Sequence, residues 1–402
     1  MQELRRDVSR RWTAPGILRE PEVHHLTNEH SFGRPCAVLV QGNTQRSKNL
    51  NFGFVPKNLR IDEQTIHIEE RCRHFHSVTF TQVCLPVSYY GVNVTKLEPL
   101  SSATVEAVVA RVVARQHALA VAQPLISPHV DAEFLASALL SAAPDVLVAL
   151  QGHQVVGHLR GTTLENEIFG RSVWINPEGL SYDTTDILAT LYSELGARWL
   201  ANDATRHFVW VPTNEVDREP WLELGFSFMH QRGTLALSNV TPSSLPDGYT
   251  IRRGSLNDLD AAIELDLIIQ RAQEQGPSFS LNIPNSQQRN EWTETLEDPD
   301  VTHLFVESND LPIAQCATFA LPQRLGSFPE TVHLSAVSVR DEHQRQGIAR
   351  AMVSFALHHA RSQGFIYGET NWRVTNRHAA HYWTNFGFTP TYTRLQRRVG
   401  SD

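Results

Sequence analysis

What most constrains this chain is that it runs through one order of elements twice, with a period of about 155 residues. From about Val92, strand Val94–Leu97 precedes a helix at Thr104–His117, whose Val105, Val108, Val109 and Val112 share a face. Pro124 and Pro128 mark a loop, and Asp131–Ala142 reads as a second helix. A hairpin joins Asp145–Leu150 to Val155–Gly161. Strand Ser172–Ile175, helix Thr184–Leu200 and strands His207–Val211 and Gly233–Leu237 complete the block. A Pro/Gly-rich linker, Thr241–Gly248, follows. The order then restarts with strand Tyr249–Arg252, helix Leu256–Arg271, a long loop Gly276–Asn290 and a short helix Glu291–Leu296. Hairpin Thr302–Val306/Pro312–Ala320 and strand Val332–Val339 come next. The ends of the halves supply the check. Asn214 stands 11 residues before Gly225-Phe226, Asn376 stands 11 before Gly387-Phe388, and Trp221 falls where Trp383 falls.

Between strand Val332–Val339 and the next helix lies Gln344-Arg345-Gln346-Gly347-Ile348-Ala349. Ile348, Met352, Phe355 and Ala356 recur at helical spacing and predict a face turned to a core, with His359 at its boundary. A strand–turn–helix with glycine at the helix entry leaves several backbone N–H groups unpaired and aligned. The helix dipole adds partial positive charge there, so the turn suits a phosphate. Gly347 lets a ligand approach the backbone, and Ala349 keeps the first turn uncrowded. Arg345 and Arg350 read equally as charge beside the phosphates or as a solvated basic rim. The first half departs at this place. It reads Gly179-Leu180-Ser181-Tyr182-Asp183-Thr184-Thr185, without glycine at the helix entry and with an aspartate that repels phosphate. Where the second half has Tyr382, the first has Pro220.

After strand Tyr367–Trp372 comes Asn376-Arg377-His378-Ala379-Ala380-His381-Tyr382-Trp383-Thr384-Asn385-Phe386-Gly387-Phe388. In order and distance, the two motifs resemble the GNAT acetyltransferase superfamily, whose cofactor loop reads Gln/Arg-x-x-Gly-x-Gly/Ala. Its later segment carries an Asn, a short helix with a Tyr, and a Gly-Phe pair. The resemblance implies a mixed α/β (α+β) fold. It has two tandem GNAT-type domains, each a twisted, mixed, mostly antiparallel sheet flanked by helices. The expected division is a 1–90 extension of unknown structure, a degenerate GNAT-like domain at 92–238 and a GNAT acetyltransferase domain at 247–399. The degenerate half is expected to be a structural partner without cofactor.

The same resemblance implies acetyl-CoA as cosubstrate, no metal, and an amine of a small molecule or peptide as acceptor. Val337 and Val339 would pair through their main chains with the pantetheine arm. Gln344, Arg345, Gln346, Gly347, Ile348 and Ala349 would hold the pyrophosphate. Asn376 would orient the arm or cap the helix that follows it, two compatible roles. Tyr382 would protonate the departing thiolate; otherwise it is a core aromatic on a short helix. A phenol with pKa about 10 donates to a thiolate near 8–9 only in a concerted step or a tuned site. For the base, His333 titrates in a suitable range but reads equally as a hydrogen-bonded strand histidine. Glu330, just upstream, and Glu369, on the following strand, are the other candidates. The acceptor side, Gly276–Asn290 and Pro322–Glu330, holds Phe279, Asn282, Asn285, Arg324 and Phe328 but no acidic cluster, which argues against a polycationic acceptor. A non-catalytic acyl-CoA-binding or interaction protein stays open as the alternative, because a fold does not guarantee turnover.

Composition narrows the partners. A net charge of −8 disfavours nucleic acid and anionic membrane, so transfer from aminoacyl-tRNA is the weaker reading. Nothing approaches the length of apolar run that spans a bilayer. The 4 cysteines have no paired spacing, which fits a reducing cytoplasm, and a monomer or homodimer is expected. Residues 1–90 stand apart: Ala14 and Ala37 are their only alanines, and Cys72, His74 and His76 match no zinc spacing.

Overall fold

The computed structural model describes residues 61–62, 65–66, 95–280 and 285–400. The greater part of the 1–90 extension, with Cys72, His74 and His76, lies outside the described residues. The chain divides into two compact units. In the unit at 22–92 the described residues are a short antiparallel pair, β1 (Ile61–Asp62) and β2 (Thr65–Ile66).

The larger unit holds both repeats. The first half runs β3 (Thr95–Pro99), α1 (Val105–Ala122), α2 (Ala132–Ser141), β4 (Val146–Gln151), β5 (Gln154–Arg160), β6 (Thr162–Asn166) and β7 (Gly170–Ile175). It continues with β8 (Leu180–Tyr182), α3 (Thr185–Ala201), β9 (Arg206–Pro212), α4 (Glu215–Glu223) and β10 (Ser227–Ala236). The second half runs β11 (Thr250–Arg253), α5 (Leu259–Glu274), α6 (Asn285–Glu297), β12 (Thr302–Ser308), β13 (Leu311–Ala320) and β14 (Thr331–Val339). It ends with α7 (Ile348–Ser362), β15 (Tyr367–Arg373), α8 (Arg377–Phe386) and β16 (Thr389–Arg398). The repeated order is therefore present. Helix α6 begins at Asn285, inside the stretch expected to be loop, and β6 is a strand of the first half that sequence patterning did not single out.

One ten-stranded sheet runs β11-β12-β13-β14-β15-β10-β16-β9-β7-β6, and a four-stranded sheet runs β3-β4-β5-β8. Its middle is an exchange of last strands. β10, which ends the first half, pairs antiparallel with β15 and with β16. β16, which ends the second half, pairs with β9 of the first. Each half is thus completed by the other, and the halves share a hydrogen-bonded ladder. The two halves also differ at one strand. In the first, the 3-10 turn Pro177–Gly179 splits the strand into β7, which pairs with β9, and β8, which pairs with β5. Proline cannot donate to a ladder, and a side chain at Gly179 would meet the Arg160 carbonyl at 2.7 Å. In the second half β14 stays whole and bends at a bulge, with Ala336 at φ 54.

Helix α7 packs Ile348, Met352, Val353, Ala356, Leu357 and Ala360 against Val332, Leu334 and Cys316 of the sheet. Burial of each large apolar side chain contributes about 1.5–3 kcal/mol. The core face matches the sequence pattern except at Phe355, which is 47% exposed. Trp221 and Trp383, the matched tryptophans, lie in the cores of their own halves. No helix among the described residues is long and apolar enough to cross a membrane.

Four histidines are buried neutral in these cores. Desolvation pushes His158, His207 and His303 down to about 4 and His333 to about 3. Their folded values lie below the unfolded value near 6.5, so unfolding takes up protons as pH falls from about 6.5 towards 4. Stability that is complete above pH 6.5 is lost through that window. A plot of unfolding free energy against pH is expected to slope upward there, with an uptake of more than one proton. A flat plot between those values would contradict the burial.

Candidate active site

The opening that organises the site lies between β14 and β15. These parallel strands pair only at Thr331↔Tyr367, Val332↔Gly368 and His333↔Glu369. Beyond that β14 runs on to Val339 against β13, while β15 runs on to Arg373 against β10. The strands therefore splay. Within the splay, Ala336 and Val337 sit in the bulge and have no register partner on either neighbour. Four buried polar atoms near it have no hydrogen-bond partner: Ser335 Oγ, Ser338 Oγ, Asn371 Oδ1 and Tyr382 Oη. Buried polar groups are nearly always satisfied, so such a cluster marks a place for a polar ligand. Val339 differs from Val337. It pairs with Ala314, and its carbonyl accepts from Gln344 Nε2 at 3.0 Å.

The predicted turn closes one end of the splay. Arg345 (φ 60) and Gly347 (φ 86) are left-handed, and Gly347 is the N-cap of α7. No side chain caps this helix, so its first N–H groups stay open. No heavy atom lies within 4 Å of where a Gly347 Cβ would be. The glycine is there for its backbone conformation, and the space above it is free. Ile348, fully buried, anchors the turn to the core, with Ala349 partly packed behind it. The side chains of the turn brace it. Gln344 Nε2 also donates to Asp341 Oδ1 at 2.8 Å, and Gln346 Nε2 donates to the Glu342 carbonyl at 3.1 Å. The Tyr249 hydroxyl, from just past the linker, donates to Gln346 Oε1 at 3.0 Å. Arg340 holds the start of the turn to α5 through Glu264, at 2.8 and 3.0 Å.

Tyr382 stands on α8, its ring against Trp383. The groups that reach its hydroxyl electrostatically are Cys316, on β13 opposite the bulge, and Arg350 of α7. Tyr382 packs in the same core cluster as Val337 of the bulge, beside the splay. Burial raises its pKa well above the ordinary 10, so it is a protonated donor at any physiological pH. Asn376 is the N-cap of α8 and accepts from the Ala379 N–H at 3.0 Å. Arg350 lies over the Phe386 ring.

Two of the three candidate bases, His333 and Glu369, are buried. His333 is 2% exposed, and burial together with Arg324 and Arg232 holds it near 3, far from the neutral range. Glu369 is 1% exposed and engaged. Arg324 donates to it, Ser327 Oγ donates at 2.8 Å, and Arg232 Nε lies 3.4 Å away. Arg232 belongs to β10, so one of the three partners of Glu369 comes from the other half of the chain. Nothing local in the sequence around Arg232 pointed here; only the strand exchange brings it to Glu369. The third candidate, Glu330, offers its carbonyl to the Ile366 and Tyr367 N–H groups.

The equivalent place in the first half is closed. There the N-cap of α3 is Thr184, whose side chain accepts from the Ile187 N–H at 3.4 Å. The adjacent Asp183 is held by Arg111. Asn214 caps α4 as Asn376 caps α8, but Pro220 replaces the tyrosine. Among the described residues, no group of three His, Cys, Asp or Glu side chains could hold a metal ion.

Comparisons with known proteins bear on the family and the fold. The sequence model of the Acetyltransferase (GNAT) family matches residues 268–388. No curated protein sequence matches the chain. Among solved structures, a GCN5-related N-acetyltransferase from Sphaerobacter thermophilus is 14% identical, with a TM-score of 0.53 over 77% of this chain and 97% of its own. A tandem GNAT protein from the clavulanic acid biosynthesis pathway is 16% identical, with a TM-score of 0.45 over 77% of this chain and 99% of its own. The chain therefore carries, at residues 268–388, a domain of the Acetyltransferase (GNAT) family.

Proposed function

We propose that the second half transfers an acetyl group from acetyl-CoA to an amine of a small molecule or peptide. The observation that carries this reading is the splay itself. It ends on an uncapped helix at Gly347, contains the unpaired Ala336–Val337 backbone, and is lined by unpartnered polar atoms. The donor set fits the cosubstrate. The open N–H groups of α7 suit a pyrophosphate, as does the free space above Gly347. The bulge offers main-chain groups to an amide-bearing arm.

When bound, acetyl-CoA supplies an acyl group activated as a thioester. The amine nitrogen forms the new C–N bond, the C–S bond breaks, and one proton moves from nitrogen to solvent while another reaches sulfur. In this reading the Tyr382 hydroxyl donates to the departing sulfur, and its raised pKa makes the transfer concerted with bond breaking. Neither His333 nor Glu369 serves as base. The first is too weak a base, and the second is committed to Arg324, Ser327 and Arg232. In this reading the acceptor enters as the neutral amine fraction, with no base role given to the remaining candidate, Glu330. The first half supplies strands rather than a second transfer centre, with its helix entry capped by its own Thr184.

The test is titration of the full chain with acetyl-CoA by calorimetry, followed by coenzyme A release across an amine panel. One equivalent bound and amine-dependent release support the reading. Two equivalents would reinstate the first half as a cofactor site. Binding without release for any amine would reduce the protein to an acyl-CoA binder. Tyr382→Phe is expected to lower kcat about ten- to hundredfold with little change in acetyl-CoA affinity, because the lost donor acts on the leaving group alone. An unchanged kcat would remove Tyr382 from the chemistry.

A further inference from the structure

On the face of the large sheet away from α7, cross-strand register collects arginines. His230, Arg373 and Arg394 lie side by side on β10, β15 and β16. Arg232, Asn371 and Tyr392 form the next row on the same face, and Glu369 stands on β15 beyond it. Arg324 reaches in from the β13–β14 connection. We infer that the acceptor amine carries an anionic group, a carboxylate or a phosphate, held by Arg232, Arg373 and Arg394. This deepens the transferase reading and rests on it.

The charges do not balance without such a group. Arg232 is 4% exposed, yet its Nε and Nη1 make no hydrogen bond. Its carboxylate neighbour Glu369 is shared with Arg324 and Ser327, and the charge of Glu178 also reaches it. Arg394 feels burial and the charges of Arg373 and Arg232, and its own Nε is unbonded. Its Nη2 lies 2.6 Å from His230 Nδ1, and the His230 ring is held neutral by burial. Arg373 donates to Gln273 Oε1 at 3.1 Å, a neutral partner. Four guanidiniums thus face two carboxylates; Arg232 is buried and the other three are half-buried, and a buried cation is costly unless paired. A planar anion that takes two guanidinium N–H groups relieves it with strong, directional bonds.

The arrangement is built rather than accidental. Arg232 lies 4.5 Å over the Trp210 ring, and Arg394 lies 5.0 Å over Trp174. Both side chains are therefore held in place before any ligand arrives. Asn371 Oδ1 and Ser335 Oγ, buried and unpartnered, flank the splay on this same face. Arg232, Trp210 and Trp174 all belong to the first half. The half that lost the phosphate turn thus contributes to the acceptor site.

The experiment is a tryptophan-fluorescence titration of the full chain with N-acetylglycine and with inorganic phosphate, against chloride at equal ionic strength. A saturable change with one anion and not the other names its class. The change should weaken at least tenfold in Arg394→Gln and in Arg373→Gln, variants checked by thermal melting. Two are used so that one may misfold without ending the test. No saturable change with either anion, or a change that survives in both variants, overturns the inference. In the kinetic arm, amino acids are compared with their amides, and phosphoethanolamine with ethanolamine. At least a tenfold higher kcat/KM for the anionic member supports the site; equal use of the neutral member overturns it. Separate acetyl-CoA titration distinguishes the two levels. Anion binding without acetyl-CoA binding supports the anion site and overturns the transferase reading beneath it.

Discussion

Gly347→Asp is expected to weaken acetyl-CoA binding at least about a hundredfold, a loss of about 2.7 kcal/mol or more in binding, while the melting temperature falls by only a few degrees. The asymmetry follows from geometry. Gly347 has φ 86, and nothing lies within 4 Å of the position its Cβ would take. Aspartate is among the residues that tolerate the left-handed region, and it is a favourable N-cap. There is room for the side chain, so the fold accepts it at the cost of backbone strain at this φ. What is lost is the anion site. The new carboxylate takes the open N–H groups and sets a negative charge against the pyrophosphate. Gly347→Asn, with the same shape and no charge, separates the two contributions and should fall between wild type and Gly347→Asp. Wild-type affinity in Gly347→Asp would place the cosubstrate somewhere other than this turn.

Glu369→Ala is expected to act on stability first. Removing one member of a buried ion pair leaves the partner charge uncompensated, at a cost of about 3–5 kcal/mol. Here two guanidiniums, Arg232 and Arg324, would lose the carboxylate they share, in a site where Glu369 is 1% exposed. The melting temperature should drop by roughly 10 °C for a unit of this size. Because Arg232 comes from β10, the loss loosens the junction between the halves, not one half alone. Urea unfolding at fixed pH checks it: the midpoint should move down together for probes in both halves. A variant that melts with wild type but loses an acidic limb from its pH–rate profile would show instead that Glu369 is the base.

Much of the site was legible because its signals are local. The Gln344–Ala349 turn needs a strand, a glycine and a helix in sequence, and each leaves its own periodicity or residue type. The same holds for Asn376 as a cap and for the Gly387-Phe388 close. The departures in the first half were legible for the same reason. Thr184 and Pro220 stand where the turn glycine and the tyrosine would be, and the structure finds a self-capped helix there. The ionisation of His333 was not legible. A histidine on an alternating strand reads as titratable or as core according to what covers it, and here burial and two arginines from distant positions decide. Phe355 shows the converse, since helical spacing alone assigned it to a core that does not reach it.

By itself the sequence determined the two α/β repeats, most of their element order, and which of them keeps an open helix entry. These follow from spacing within some tens of residues, where backbone propensity and side-chain period act directly. Tertiary structure decided which strands meet. β10 and β16 suit either sheet by pattern, and only packing of the whole unit sends each into the other half. That exchange carries Arg232 to Glu369 and aligns it with Arg373 and Arg394 on the face proposed to hold the acceptor. Pairing across so many residues is fixed by the shared core and the ladder of backbone hydrogen bonds, neither of which leaves a mark on any single stretch of sequence.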